Sequence, residues 1–277
     1  MSHPHCLAAA GLAAAVVLLP AVSARPAPEP FHFVAFGDMP YDTPGDYARL
    51  QNVVEAINAA GPAFAIHVGD LKGGGRSCAD ETYARVRPYF DRIAPALIYT
   101  PGDNDWADCD RLVAGRFDTR ERLAFLRREF FAAARSLGRS PVPVRRQSDG
   151  PAAGGLPENL QWEHGGIVFV TLHVVGADDN LGDDRDEFEA RRAANLAWID
   201  EAFRRAAALD SPAIVLAYHA DMFRPFASWI AFGGIRTALA DAAAASGRQV
   251  LLVHGDGHPI LWTDRSLRRA AGRRCRT

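Results

Sequence analysis

Residues 64–70 read FAIHVGD, an apolar run closed by Gly-Asp. The same shape recurs as FHFVAFGD at 31–38, LIYTPGD at 97–103 and VLLVHGD at 250–256. Continuous β-branched and aromatic runs of this length predict strands buried on both faces, in a sheet covered by helices. Gly lets the chain turn sharply and leaves Asp at the carboxyl end of each strand. Open α/β sheets place their ligands at that edge. Carboxylates at four equivalent strand ends repel one another unless a cation lies between them, so the pattern predicts a metal site formed by Asp38, Asp70, Asp103 and Asp256.

Helical signals fill the gaps between these runs. DYARLQNVVEAINAAG (46–61) has apolar residues at helical spacing and a Gly to stop it. ADETYARVRPYFDRI (79–93) predicts a helix that Pro88 kinks or splits. TRERLAFLRREFFAAARSLG (119–138) is amphipathic and also ends in Gly. Residues 140–157, rich in Pro, Gly and Ala, read as a long loop. NLQWEHGGIVFVTLHVV (159–175) reads as a hairpin turning at His164-Gly165-Gly166. An acidic loop, GADDNLGDDRDE, leads into a helix over 188–208. AIVLAYHAD (213–221) is a further buried strand carrying His219, and 228–246 is an Ala-rich helix. Alternating elements of this kind predict an α/β fold, either one mixed sheet or two sheets face to face, with helices outside.

At 277 residues the chain can bury a large core, and its net charge of -2 argues against recruitment to nucleic acid by bulk electrostatics. LAAAGLAAAVVLLP (7–20) followed by Val22-Ser23-Ala24 reads as a signal peptide over 1–24, although its leading MSHPHC carries no Lys or Arg. An uncleaved anchor and a buried N-terminal helix are the other readings. Residues 25–30 (RPAPEP) form a Pro-rich linker, 31–262 form the domain, and 263–277 form a basic tail. That tail reads either as a natural extension or as a frameshifted or truncated gene end. Export implies a periplasmic or secreted, oxidising location and no stable membrane anchor once the signal is removed. Cys78 and Cys109 then fall in loops after Asp70 and Asp103 and suit a disulfide; two thiolate metal ligands are the alternative, without a CxxC spacing to favour them. Cys275 is left over.

The strand ends, in order, resemble the motifs of the calcineurin-like metallophosphoesterase family, in a divergent secreted bacterial form. Matching stretches are Asp38-Met39-Pro40, Gly69-Asp70, Gly102-Asp103-Asn104-Asp105, His219 in YHAD, and Gly255-Asp256-Gly257-His258. The resemblance covers nearly all of 31–262. It implies a two-layered β-sandwich of mixed sheets flanked by helices (αββα), and hydrolysis of small phosphate esters by a metal-bound hydroxide. Two divalent ions about 3.5–4 Å apart belong to that chemistry. Asp70 is then expected to bridge them, with Asp38 and His258 on one ion and Asp103, His219 and Asp256 on the other.

Departures from the family pattern matter. Pro40 stands where a His would bind metal, Asp103 replaces an Asn, Asn104 replaces the His that assists the leaving group, and Asp256 replaces a His. More carboxylates and fewer imidazoles move the expected ions, among Mn, Mg, Fe, Zn and Ca, away from zinc towards Mn²⁺, Mg²⁺ or Ca²⁺. Asn104 can donate to a phosphoryl oxygen but has no acid form to deliver a proton. Two functions follow: a secreted metal-dependent phosphoesterase favouring activated esters, or an impaired relative acting as a binding protein of the cell envelope. A serine hydrolase is not indicated, since no G-x-S-x-G elbow occurs. Blander readings stand beside these. Any one Gly-Asp also serves as a turn or N-cap, and His219 or His258 as a core histidine. His67, His173 and His254 read as buried packing or supporting residues. Asp105 and Trp106 read as pocket wall or caps, and the acidic run as a solvated loop.

Overall fold

In a computed structural model the structure describes residues 29–41, 43–151 and 154–258. The expected signal peptide, most of the linker, the strand suggested by PILWT and the basic tail lie outside the described residues. β1 (Val34–Phe36), β2 (Phe64–His67) and β3 (Ala96–Tyr99) pair in parallel in that order. β2 and β3 are buried at every position, as unbroken apolar runs require. α1 (Asp46–Ala60) and α2 (Asp80–Phe90) connect them. α1 stops where predicted, on Gly61 at φ 58° with its N–H bonded to the Ile57 carbonyl. α2 is not split by Pro88 and ends two residues beyond it.

The second sheet takes its strands in chain order: β4 (Arg145–Arg146), β5 (Leu160–His164), β6 (Ile167–Thr171), β7 (Ala213–Ala217) and β8 (Gln249–Val253). β4, β5 and β6 are antiparallel, whereas β6, β7 and β8 are parallel. Gly165 and Gly166, both at positive φ, form the predicted hairpin turn. Only this sheet is mixed; the first, expected to be mixed too, is parallel throughout its three strands. Its far edge has a single antiparallel bridge, Leu97 to Leu137.

That bridge explains a second correction. α3 (Thr119–Phe130) stops well short of 138, because Leu137 leaves the helix to exchange both backbone hydrogen bonds with Leu97. Gly138 serves this close approach instead of capping a helix. The stretch expected to be loop, 140–157, also holds β4. In the acidic stretch, α4 (Gly176–Asp179) is one left-handed turn, and Asp179 is fully buried against Arg191. A solvated loop therefore describes only part of it. α5 (Arg185–Ala208) starts three residues early, because Asp184 caps it by accepting from the Glu187 N–H at 3.2 Å.

Period-two alternation sorts the second sheet's side chains. Phe169, Val215, Leu251 and Val253 face the first sheet, while Val168, Val170, Ile214, Leu216, Val250 and Leu252 face α5 and α6 (Trp229–Ser246). Aromatic contacts join the two sheets: Phe64 lies 4.9 Å from Phe169 and 5.5 Å from Trp162, centroid to centroid. Truncating so central a ring costs about 3–5 kcal/mol. Leu50, Val54 and Val86 cover the first sheet's outer side. Helix, sheet, sheet, helix is thus the layering. Among the described residues no helix is long and apolar enough to cross a membrane.

Candidate metal centre

The carboxyl ends of β1, β2, β3, β7 and β8 converge. Gly-Asp follows β1 directly and β2 after one residue; β3 reaches Asp103 through Thr100-Pro101-Gly102; His219 follows β7; and Asp256 follows β8. The turns that aim these groups are costly. Asp38, Asp70, Asp256 and His258 all have positive φ, at 53°, 60°, 62° and 61°. Non-glycine residues adopt that region rarely, Asp more readily than most. Four of the six expected ligands share it, as do seven other non-glycine residues among the described ones, Asp179 and Asn180 among them.

Two groups of candidate ligands form. One ligand atom from each of Asp38, Asp70 and His219 lies within 4.8 Å of the others, and the same holds for Asp103, His219 and Asp256. The residue common to both groups is His219, not Asp70, which belongs to the first. Its ring is fully buried. Nδ1 lies 2.8 Å from the Val68 carbonyl, which can only accept, so Nδ1 carries the proton. The Nε2 lone pair then faces Asp103 Oδ1 at 3.0 Å and Asp70 Oδ1 at 3.4 Å. Neither His219 Nε2 nor Asp103 Oδ1 has a hydrogen bond of acceptable geometry. A lone pair held against two carboxylate oxygens is repulsive without positive charge between them. A carbonyl-anchored imidazole with its other nitrogen aimed at carboxylates is the donor set that a divalent cation takes.

With no ion between them, a proton on Nε2 supplies the positive charge. Burial pulls the His219 imidazole down, but the charges of Asp70, Asp103 and Asp38 carry it well above its usual range. Burial, reinforced by Asp103 and other acidic neighbours, lifts the Asp70 carboxyl. Burial likewise lifts Asp38, against the pull of His219 and His258.

Asn104 packs directly on Asp70, its Nδ2 donating to Oδ2 at 2.5 Å and its backbone N–H to Oδ1 at 3.2 Å. The loops approach so closely that a Cβ on Gly102 would fall 2.1 Å from Asp70 Oδ1. Asp256 donates its N–H to Asp38 Oδ1 and accepts from the Asp221 N–H, both at 3.1 Å. His258 stands beside the two groups, half-exposed, with Nε2 3.7 Å from Asp38 Oδ1.

Several contributors escaped the sequence reading. The Tyr41 hydroxyl lies 2.8 Å from His258 Nε2 and 3.4 Å from both Asp38 Oδ1 and Asp70 Oδ2. An aromatic inside a Pro/Gly turn carries no signal for that role. Asp105 takes the capping role of its two expected ones: fully buried, it accepts from the N–H groups of Asp70, Leu71 and Gly102 and from the Tyr99 hydroxyl. His67 is buried as expected and bonds to Met39 O at 3.0 Å, and burial pushes its imidazole down to about 4. His173 is also buried, between Glu158 at 2.8 Å and Trp106 at 3.0 Å. His254 is exposed, a correction: β8 ends at Val253 and the ring stacks on Tyr218. Cys78 and Cys109 are joined, Cα to Cα 5.7 Å, strapping together the loops that follow Asp70 and Asp103.

Comparison with family models finds no match, and comparison with curated proteins finds none at a significant level.

Proposed function

We propose that the protein is an exported, metal-dependent phosphoesterase acting on small phosphate esters, with its sheets paired as in the calcineurin-like metallophosphoesterases. The observation that carries this reading is His219 Nε2, fully buried and aimed at Asp70 and Asp103 without a hydrogen-bond partner. Asp38, Asp70 and His219 would hold one divalent ion, and Asp103, His219 and Asp256 a second, with His258 adjacent. Such ions supply Lewis acidity and an activated water. The mostly carboxylate donor set suits Mn²⁺, Mg²⁺ or Ca²⁺ better than zinc. The chain's own part is to orient: Asn104 steadies Asp70 and presents its second amide hydrogen to a phosphoryl oxygen. The Cys78–Cys109 bond supports a periplasmic or secreted location.

One observation favours the second reading, an envelope binding protein with impaired turnover. The position beside Asp70 where a proton donor would assist the leaving group holds an amide, already committed to Asp70. Missing general acid catalysis typically costs about 10²–10⁴-fold with poor leaving groups. Metal analysis of the mature protein, followed by aryl phosphate hydrolysis with and without Mn²⁺, separates the two. Bound metal with Mn²⁺-stimulated turnover supports the enzyme. Bound metal without turnover supports the binding protein, and no bound metal after reconstitution overturns both.

A further inference from the structure

Arg111 lies outside every motif so far discussed, yet its position is built. Its guanidinium contacts Asp108 Oδ2 at 2.6 Å, an oxygen almost fully buried, while the arginine side chain itself is 49% exposed. The segment carrying it is strapped on both sides. Cys109 is bonded to Cys78, the Cys78 N–H donates to the Ala114 carbonyl at 2.9 Å, and the Ala114 N–H donates to the Arg111 carbonyl at 2.9 Å. Across from it runs the Gly73-Gly74-Gly75 loop. A Cβ on Gly74 would sit 2.4 Å from Asn104 Oδ1 and 3.1 Å from Arg111 Nη1. The missing side chain is what lets Arg111 stand next to Asn104, and Asn104 follows Asp103 and contacts Asp70.

A guanidinium has five N–H donors in a planar fork, and Asp108 engages one end of it. Arg111 Nη1 lies across the Gly74 position from Asn104 Oδ1, beside a centre whose other side chains are nearly all acceptors. An ester bound at the two ion positions directs oxygens at the ions. A phosphomonoester has three terminal oxygens, so it keeps one for a further donor. A phosphodiester has two and keeps none. We propose that Arg111, beside Asn104, is the subsite for the third terminal oxygen and makes the centre selective for phosphomonoesters over diesters. This rests on the reading of the ion site given above.

The test uses the mature protein with Mn²⁺, in wild-type, Arg111→Lys and Arg111→Ala forms. Mn²⁺ affinity and inorganic phosphate affinity are measured by calorimetry, and kcat/KM is measured on an aryl phosphomonoester and a bis-aryl phosphodiester. Losing a charge-assisted hydrogen bond to a phosphate weakens binding about tenfold or more. Expected in Arg111→Ala is a phosphate Kd raised at least that much and a monoester-to-diester preference lowered to match, with Mn²⁺ affinity retained. Arg111→Lys keeps the ion pair with Asp108 and falls between. Mn²⁺ uptake with phosphate affinity and ester preference equal to wild type overturns this inference alone. A wild-type protein that takes up no Mn²⁺ overturns the ion site and this inference with it.

Discussion

Gly176 is the most direct handle on the second ligand group. It opens the left-handed turn α4, where Ala177, Asp178, Asp179 and Asn180 have φ of 48°, 53°, 57° and 61°. Its own φ lies outside that region, so alanine is acceptable to the backbone. The side chain is not. A Cβ there would stand 2.6 Å from Asp103 Oδ1 and 3.0 Å from Asp256 Oδ1. The first of those atoms is the one held 3.0 Å from His219 Nε2. If the fold absorbs the methyl group, overpacking costs about 1–3 kcal/mol. If the carboxylates give way, the support of a ligand is lost, which typically weakens metal binding about 10–100-fold. Gly176→Ala is therefore expected to raise the Mn²⁺ Kd at least tenfold, read by titration calorimetry beside a thermal melt. Gly234→Ala is the control. Gly234 lies inside α6 with nothing nearer its added Cβ than Arg192 Cδ at 3.9 Å, and alanine there stabilises by about 0.5–1 kcal/mol. A Gly176→Ala protein that binds Mn²⁺ and melts like wild type would refute the placement of an ion between Asp103 and Asp256.

Other outcomes follow from separate parts of the molecule. Burial opposes ionisation of Glu158, but the hydrogen bond from His173, then the charge and hydrogen bonds of Arg127, bring its carboxyl from 4.5 to about 2. A depressed folded-state value contributes stability above pH 4.5 and loses it as pH falls through about 2, worth ~3 kcal/mol in all. The stability gap between wild type and Glu158→Gln should be widest near neutral pH and close in acid; a gap independent of pH in denaturant melts contradicts this. Replacing Cys78 and Cys109 together by Ser opens a loop with a sequence separation of 31, which costs about 3–4 kcal/mol in the chain-entropy account. A loss below about 1 kcal/mol in non-reducing denaturation would show that the strap is dispensable. Asn104→His places a titratable ring beside Asp70 and should speed hydrolysis of alkyl phosphates more than aryl ones. Equal gains on both would remove the missing acid as the cause of low turnover.

The buried strands, the hairpin turn and the stop of α1 were readable because each rests on local chemistry: unbroken apolar runs, paired glycines, a C-terminal Gly. The end of α3 was not, since the 119–138 periodicity is helical and only the distant partner Leu97 draws Leu137 out of it. Division into two sheets was left open for a related reason. The fourth Gly-Asp strand looks like the other three, and its neighbour is decided by which face α5 and α6 cover. Within the site, carboxylates were legible as strand-end repeats. Tyr41 and Arg111 were not, because their roles depend on loops that meet only in three dimensions. His254 shows the converse error, where an apolar run was extended one residue past the point at which β8 leaves the sheet.

Asp105 is the residue through which the left-handed Asp70 turn is held. Positive φ at four strand-end residues costs on the order of 1–3 kcal/mol each where side chains are not glycine. Such turns persist only if the surroundings over-determine them. Asp105 Oδ2 accepts from the Asp70 N–H at 3.0 Å, the Gly102 N–H at 2.8 Å and the Tyr99 hydroxyl at 2.7 Å, while Oδ1 accepts from the Leu71 N–H at 2.8 Å. An amide offers one acceptor, so Asp105→Asn must turn an NH₂ group towards at least one buried donor. Its least costly orientation keeps the three donors on the oxygen and sets NH₂ against Leu71. One buried N–H is then unsatisfied, at about 1–3 kcal/mol. The residue after Asp70 loses its acceptor and Asp70 keeps only a neutral one, so Mn²⁺ affinity should fall more than the melting temperature alone implies. The discriminating comparison is Tyr99→Phe, which removes one donor from the same oxygen and leaves the three backbone N–H groups in place. If Asp105→Asn and Tyr99→Phe weaken Mn²⁺ binding equally, the carboxylate is packing the core and does not hold the Asp70 turn in its left-handed conformation.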